Sequence, residues 1–258
     1  MSERLKLIVA YDGASFAGWQ SQRHGNTIQD HLERAVARVS GERVRVHGAG
    51  RTDASVHALA QCAHVDLNSP RRTVERWPAA LNASLPPTIR VLRCSFVSEK
   101  FHARYSAKSK IYRYRIWTGP VLPPHEWNRA WHVPGPIDFE PLRVAAGKFI
   151  GTYDFAGFAA NRGKSPSRRD SSRGRPDTNT IRTVRSVAMR RKSALVEIDV
   201  EADGFLYKMV RLMVGAIVDV ALGKNEPEEI SKRLRSPHHA SVRFAAPAAG
   251  LFLVRVRY

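Results

Sequence analysis

Apolar residues recur along the chain in two ways, as β-branched or alternating runs typical of strands and at the three-to-four-residue spacing typical of helices. The strand-like runs predict strands at 5–10, 44–47, 61–67, 89–97, 110–117, 181–189, 194–201 and 251–256. The helical spacing predicts helices at 28–40, 74–81, 139–150 and 204–222, and a short one from Pro227. Since the two kinds of segment interleave, the pattern predicts an α+β fold, a mostly antiparallel mixed sheet with helices on one face.

Two segments interrupt this pattern. Residues 120–136 are rich in loop-forming residues and are the candidate hinge between an N-terminal half, 1–118, and a C-terminal half, 119–258. We expect two similar halves that flank a central basic cleft with one active site. Residues 161–179 are rich in Ser, Arg and Gly and poor in apolar residues, which predicts a mobile basic loop.

The charge balance narrows the choice of partner. The 258 residues include 42 Lys and Arg against 23 Asp and Glu, a net charge of +19. A surplus spread along the whole chain favours a broad face that binds a polyanion such as nucleic acid, because cations that meet phosphates release counterions. The alternative is a charge that only keeps the protein soluble.

The cysteine content and the hydropathy of the chain indicate the cellular compartment of the protein. Cys62 and Cys94 lie in different apolar segments, so both are predicted to be small core residues in a reducing compartment. The sequence shows no apolar stretch of the roughly 20 residues that a membrane helix needs, and the apolar run at the N-terminus is too short for a signal peptide. We therefore expect a cytoplasmic protein without membrane contact.

The stretch 48–57 (GAGRTDASVH) is the most informative one for chemistry. Gly48 and Gly50 permit torsions and close approaches that a Cβ would block, and a cation and a carboxylate follow at once. Such a turn can hold Asp53 at the floor of a cleft, with Arg51 close enough to keep it ionised. The alternative is a tight turn that carries a surface Asp and Arg.

Other site chemistries fit the sequence less well. A phosphate-binding loop needs Lys-Ser or Lys-Thr after its glycines, and none follows here. A metal site built from His47, Asp53, His57 and His64 is conceivable, although no two of them have a standard ligand spacing on one helix. A Ser or Cys nucleophile would need an elbow motif that the sequence lacks.

The stretch 48–54, continued by Val56-His57-Ala58 and Gln61, resembles the signature of the tRNA pseudouridine synthase A family. Further segments are similar to that family in the same order, at 11–20, 101–114, 203–211 and 250–253. Ser55 and Ala60 stand where the family usually has Gly, and Lys208 stands where His is commoner. Residues 162–176 have no clear counterpart, so the resemblance gives that stretch no role.

The resemblance implies the pseudouridine synthase fold and an isomerase that acts on tRNA. In that reaction uracil leaves C1′ of its ribose, turns, and rejoins through C5, without a metal or an organic cofactor. The family acts on uridines at tRNA positions 38, 39 and 40 in the anticodon arm. Its members are homodimers whose two subunits together hold one tRNA.

Roles for single residues follow from the matched motifs. Asp53 matches the nucleophile, Arg211 the cation that keeps it ionised, and Tyr112 the active-site tyrosine that holds the flipped base. Leu251 matches the apolar residue on the other side of the pocket. The remaining predicted substrate or RNA contacts are Arg51, Lys208 and His57. A flipped base is required because uracil must leave the stack before it can react, whether Asp53 attacks C1′ or the uracil ring.

Three other functions stay open on sequence alone. The first is a pseudouridine synthase with a different RNA target, because target choice depends on surface shape. The second is a non-catalytic RNA-binding protein on the same fold, although loss of Asp53 would be expected there. The third is a metal-dependent RNA hydrolase, which a chelator would inactivate.

Overall fold

The computed structural model describes residues 3–23, 25–68, 73–160, 179–236 and 244–258. Apart from Asn179, the predicted basic loop at 161–179 lies outside the described residues. The chain forms two compact units. The first consists of Met1–Arg113, Pro123–Trp131 and Ala248–Tyr258, and the second of Tyr114–Leu122 and His132–Pro247. The halves expected at 1–118 and 119–258 stay a prediction.

The regular elements are as follows, in chain order. The strands are β1 Glu3–Tyr11, β2 His47–Gly48, β3 His57–Leu67, β4 Ile89–Val97, β5 Ser109–Trp117, β6 Trp131–His132, β7 Gly151–Asp154, β8 Ile181–Lys192, β9 Leu195–Ala202 and β10 Leu251–Arg257. The helices are α1 Ile28–Ser40, α2 Arg76–Asn82, α3 Phe139–Gly147, α4 Met209–Ala221 and α5 Pro227–Arg235.

The first unit is built on β1. Alternate residues of β1 point into the core, where Leu5, Leu7 and Val9 are fully buried, as its two-residue repeat requires. The strand order is β4-β1-β3-β10, with β1 antiparallel to both β3 and β4 and with β10 parallel to β3. This arrangement confirms the predicted mixed, mostly antiparallel sheet. It also places the end of the chain beside β3, the strand that follows the glycine loop.

Helix α1 shows how local sequence sets an element's limits. The Thr27 hydroxyl accepts from the Asp30 backbone N–H, and the Asp30 carboxylate accepts from the Thr27 backbone N–H, so both hydrogen bonds of a capping box are made. Gly41 ends the helix in the left-handed conformation at φ 78°. One face, which includes Leu32 and Val36, is buried.

The second unit packs helices against a smaller set of strands. Its strands β9, β8 and β7 follow one another as antiparallel neighbours, and α4 packs against α3 and α5. Val196, Ile198 and Val200 line the buried face of β9. The apolar residues of α4 are buried on several sides, which explains its nearly continuous hydrophobic sequence.

Several segments differ from the sequence predictions. Strand β3 begins at His57 rather than at 61, and the two-residue β6 lies within the predicted loop 120–136. Helix α4 begins at Met209 rather than at 204, because Lys208 adopts the left-handed conformation at φ 59° and ends any helical run that would reach it. Residues 44–46 form no strand, and only His47–Gly48 pair with β3. The four-residue strand β7 was not predicted, because it is too short to show an alternating pattern.

Both cysteines are buried and free, which confirms the prediction of two core residues. Among the described residues, no helix combines the length and the apolar character needed to cross a bilayer.

A cluster of imidazoles lies where β2 meets β3. The rings of His47 and His64 stack with centroids 5.0 Å apart, and His102 packs edge-on against His64 at 4.6 Å. Nδ1 of His64 accepts from the Ala103 backbone N–H at 3.2 Å, so its proton is carried on Nε2. Burial, followed by the charges of His102, Arg4 and His47, lowers the pKa of His64 to about 4.

This depressed pKa predicts acid sensitivity. The unfolded chain takes up a proton at His64 near pH 6.5, whereas the folded chain resists protonation until about pH 4. The stabilising contribution is therefore complete above pH 6.5 and is lost as pH falls towards 4, by about 1–2 kcal/mol after solvent screening. Urea unfolding at pH 7.5, 6, 5 and 4 should show a shallower pH slope for His64→Asn, which keeps an acceptor for Ala103. Equal slopes of the free energy of unfolding against pH for wild type and His64→Asn would show that His64 does not cause the acid sensitivity.

Candidate active site

The glycine loop starts from a strand pair that fixes its position. His47 and Gly48 of β2 pair with His64 and Ala63 of β3, and the Ala49 N–H donates to the Cys62 carbonyl at 2.8 Å. The Gln61 side chain, fully buried, donates from Nε2 to the Gly50 carbonyl at 2.9 Å. The backbone is therefore tied down immediately before Arg51, Thr52 and Asp53.

The opening loop after β1 packs directly on the other side of this loop. The Trp19 N–H donates to the Thr52 carbonyl at 3.0 Å, and the Tyr11 hydroxyl bonds the Thr52 hydroxyl at 2.8 Å in a buried position. Gly18 has φ 94°, and a Cβ there would lie 2.7 Å from the Thr52 carbonyl oxygen. Thr52 is thus held at its main chain and its side chain, and Asp53 is the next residue.

Asp53 itself is half-buried at the start of a tight turn, in which its carbonyl accepts from the Val56 N–H at 3.2 Å. Ser55 within this turn has φ 64°, in the region that favours glycine. Glycine would adopt this torsion without strain, and a side chain at this position costs about 1 kcal/mol.

Tyr112 of β5 lies within the electrostatic reach of Asp53. Burial raises the pKa of its hydroxyl, and the charges of Tyr11 and Asp53 raise it further. Only 7% of the residue is exposed. A tyrosine in this state keeps its proton at neutral pH, so it can donate a hydrogen bond or offer a ring face, and it is a poor general base.

His57 is the first residue of β3, four positions beyond Asp53. Only 1% of it is exposed. Its Nδ1 accepts from the Gly13 N–H at 3.1 Å, and its Nε2 bonds the Asn128 carbonyl at 2.8 Å. The predicted RNA contact by His57 stays a prediction, and these two bonds occupy both ring nitrogens within the protein.

Leu251 and Arg51 complete the first unit's share of the predicted site. Leu251 opens β10 and is 7% exposed, and the parallel register places its neighbour Phe252 opposite His57. Arg51 is exposed and lies two residues before Asp53 in the chain. A Cβ on Gly50 would lie 3.6 Å from Nζ of Lys110, so a further cation borders the loop. No role was predicted for Lys110 itself, because it is one of three cations, with Arg113 and Arg115, in the strand-like run 110–117.

Arg211 and Lys208 belong to the second unit. Arg211 lies in the first turn of α4, half-buried, and its Nε donates to the Ala246 carbonyl at 2.6 Å. Burial raises the pKa of Tyr114, and the Arg211 charge opposes that rise. Lys208 precedes α4, with its Nζ 5.3 Å from the centre of the Tyr207 ring. The assignments of Asp53, Tyr112, Arg211, Arg51, Lys208 and Leu251 stay predictions.

Within the described part of the chain, no group of three or more His, Cys, Asp or Glu side chains is arranged to hold a metal ion. Neither ring nitrogen of His57 remains for a ligand bond, because one accepts from Gly13 and the other bonds Asn128. His64 likewise uses Nδ1 to accept from Ala103. The alternative of a metal site at His47, Asp53, His57 and His64 therefore gains no support from the geometry.

Comparison with known proteins identifies the family. A family model described as tRNA pseudouridine synthase matches residues 7–106 and 145–258. A relative from Akkermansia muciniphila, named tRNA pseudouridine synthase A, is 43% identical over 99% of this chain and 95% of its own length. Relatives of the same name from Thermoanaerobacter sp. and Acetivibrio thermocellus are 38% and 39% identical over 98% of this chain, with 98% and 99% of their own lengths covered.

The family match and these relatives place the chain in the class of isomerases with the pseudouridine synthase fold. The chain belongs to the tRNA pseudouridine synthase family. The family, the fold and the enzyme class predicted from the sequence are thereby confirmed.

The close approach at Gly18 can be tested against a matched glycine. Gly18 and Gly25 both have positive φ, but a Cβ would meet the loop backbone at Gly18 and open space at Gly25. We expect Gly18→Ala to lower the free energy of unfolding by about 2–3 kcal/mol and Gly25→Ala by about 1 kcal/mol. Denaturant unfolding measures both values. An equal loss of free energy of unfolding in the two variants would show that the backbone at Thr52 shifts to accommodate a Cβ without strain.

Proposed function

We propose that this chain converts uridine to pseudouridine in tRNA, at positions 38, 39 and 40 of the anticodon arm. The observation that carries the proposal is its similarity to enzymes named tRNA pseudouridine synthase A over nearly the whole of both chains. The net charge of +19 supports a polyanionic substrate of this kind. The positions within the anticodon arm rest on the family resemblance.

Asp53 is the proposed nucleophile. The reaction breaks the bond between C1′ and N1, turns the uracil, and forms the bond between C1′ and C5, while C5 loses a proton and N1 is left to carry one. A single ionised carboxylate near the sugar and the base suits this chemistry, because a covalent intermediate divides the difficult exchange into two easier steps. The anchoring of Thr52 and the turn at Val56 support this role, since they leave the Asp53 carboxylate on a fixed backbone.

Tyr112 and Leu251 are the proposed walls for the extruded uracil. A tyrosine ring offers a stacking face, and a leucine side chain fills the opposite side without competing polar groups. The raised pKa of Tyr112 supports a neutral, hydrogen-bond-donating hydroxyl beside the Asp53 charge. Arg51, exposed on the same loop, is the proposed RNA contact that helps to extrude the base.

Arg211 is the proposed cation that keeps Asp53 ionised, and Lys208 a proposed RNA contact. The bond from Arg211 Nε to the Ala246 carbonyl supports a fixed guanidinium orientation. A homodimer that binds the anticodon arm with both subunits, a cytoplasmic location, and independence from metals and organic cofactors complete the proposal. A pseudouridine synthase with another RNA target is the nearest alternative.

The catalytic assignment predicts an inactive Asp53→Asn enzyme that still binds tRNA, because the amide keeps the shape and loses the nucleophile. Unmodified tRNA transcripts would be incubated in chelator without cofactor, and pseudouridine would be mapped at positions 38, 39 and 40. Asp66→Asn is the matched control, since Asp66 lies farther along β3 in an ion pair with Arg4. Turnover by Asp53→Asn near that of wild type would overturn the assignment.

The outcomes also separate the alternatives. Product at other positions, or only on other RNAs, would move the target away from the anticodon arm. Binding without product from any RNA would favour a non-catalytic RNA-binding protein. Product that disappears in chelator would favour metal-dependent chemistry.

The role of Arg211 predicts a shift in the pH–rate profile. A carboxylate that loses its cation takes up a proton more readily, so Arg211→Ala should move the acid limb to higher pH and regain part of its activity there. Arg211→Lys should move the limb less, because the charge remains. The control is Arg38→Ala on the exposed face of α1, which can weaken tRNA binding without moving the acid limb. If the acid limb of the Arg211→Ala enzyme lies at the same pH as that of wild type, Arg211 is not the cation that keeps Asp53 ionised.

A further inference from the structure

The imidazole of His57 joins three segments of the first unit. Its Nδ1 accepts from the Gly13 N–H at 3.1 Å, and its Nε2 bonds the Asn128 carbonyl at 2.8 Å. Its ring stacks on Phe252 with centroids 4.4 Å apart and planes 16° apart. These partners lie in the opening loop, in the segment Pro123–Trp131 and in β10, all at the base of the turn that carries Asp53.

The two hydrogen bonds determine the tautomer. A backbone N–H can only donate, so Nδ1 must present its lone pair to Gly13. A carbonyl can only accept, so Nε2 must carry the proton that bonds Asn128. His57 is therefore neutral, with its proton on Nε2. Burial, the largest cause, lowers the pKa of this imidazole and agrees with the neutral form.

An ion pair supports the same junction from outside. Arg129, next to Asn128, places Nη2 2.6 Å from Oδ2 of Asp12, and Asp12 Oδ1 accepts from the Ala14 N–H at 3.1 Å. Asn128 has φ 59°, in the left-handed region that Asn adopts more readily than most residues, and its carbonyl is bonded by His57. A Cβ on Gly13 would also clash with the Val56 carbonyl, within the Asp53 turn.

We propose that His57 is a positioning residue for the isomerisation, a neutral imidazole that fixes the Asp53 turn between Gly13, Asn128 and Phe252 and does not touch the RNA. This inference rests on the proposed function, in which Asp53 is the nucleophile. The turn runs from Asp53 to Val56, and His57 follows it directly. Because the turn is so short, a movement of His57 at its end also displaces the Asp53 carboxylate. Small displacements of a catalytic group lower the reaction rate steeply.

The charged groups that face the ring set its response to pH. Asp12 places Oδ1 3.2 Å from Nδ1 and favours a proton there, whereas Arg129 opposes it. The Asn128 and Ala249 carbonyls favour a proton on the ring, and Phe252 brings no charge from β10. Protonation would put a hydrogen on Nδ1 that faces the Gly13 N–H, so acid should break this bond first.

Three substitutions separate the two hydrogen bonds from the ring stack. His57→Asn can place an acceptor near the Nδ1 position and restore the Gly13 bond alone. His57→Gln can place a donor near the Nε2 position and restore the Asn128 bond alone. His57→Phe keeps the stack on Phe252 and loses both bonds. Each is compared with wild type in single-turnover rate at saturating tRNA, in Kd for tRNA, and in free energy of unfolding.

We expect His57→Phe to lose about 10–100-fold in single-turnover rate with Kd within about twofold of wild type. The Asn and Gln variants should fall between wild type and the Phe variant. If His57→Phe does not fold, Arg129→Ala provides the second test, because it removes only the outer ion pair and should lower the rate less. A raised Kd with a normal rate would instead make His57 an RNA contact. Normal rates in all four variants with lowered stability would make it a structural residue only.

A readout without tRNA keeps this inference separate from the proposed function. Two-bond ¹H–¹⁵N NMR of the imidazole in the free enzyme should show the Nε2–H tautomer at pH 7, and amide exchange at Gly13 should accelerate in His57→Gln but not in His57→Asn. An enzyme inactive on every RNA with these signals intact would overturn the proposed function alone. An Nδ1–H tautomer, or equal exchange in both variants, would overturn the positioning role.

Discussion

The candidate site depends on one steric constraint, the direct contact between two glycines of the opening loop and the backbone of residues 52–56. A Cβ on Gly18 would meet Thr52, and one on Gly13 would meet Val56, so the two stretches of main chain touch without side chains between them. Because the Tyr11 hydroxyl and the Trp19 N–H then reach Thr52, the residue before Asp53 has little freedom to move. The sheet supplies the frame for this contact, since β1 and β3 are antiparallel neighbours whose ends bring the two loops together.

Much of this could be predicted from the sequence, and the physical reason is local. Strand β4 was predicted with the bounds that the structure gives, because its apolar residues follow a strand pattern. Helix α1 was predicted at 28–40 for a similar reason, since its caps at Thr27 and Gly41 depend on residues only a few positions away. The glycine loop was recognisable because close contacts between main chains leave no room for a side chain and so require glycine, which the sequence shows directly.

The parts that could not be predicted depend on distant residues. The start of α4 is set by a left-handed Lys208, a torsion that no simple pattern announces. His57 matched the family motif and invited a role in binding RNA, but its burial is decided by Asn128 and Phe252, which lie far along the chain. The compact unit that holds Asp53 also includes Pro123–Trp131, the segment that carries Asn128, and this grouping comes from tertiary contacts rather than from a local pattern.

In the first unit, the buried titratable groups are uncharged and the cations beside the Asp53 loop are exposed or half-buried. This division suits an enzyme that binds a polyanion. Burial is the largest influence on Tyr11, His57, His64 and Tyr112, and in each it favours the uncharged form. The cations beside the loop, Arg51 and Lys110, lie at exposed or half-buried positions, where solvent ions screen them. Salt should therefore act on the approach of the RNA much more than on the protonation of the groups behind Asp53. That separation lets the chain carry a large positive charge for binding while the hydrogen bonds that position the carboxylate involve neutral donors and acceptors.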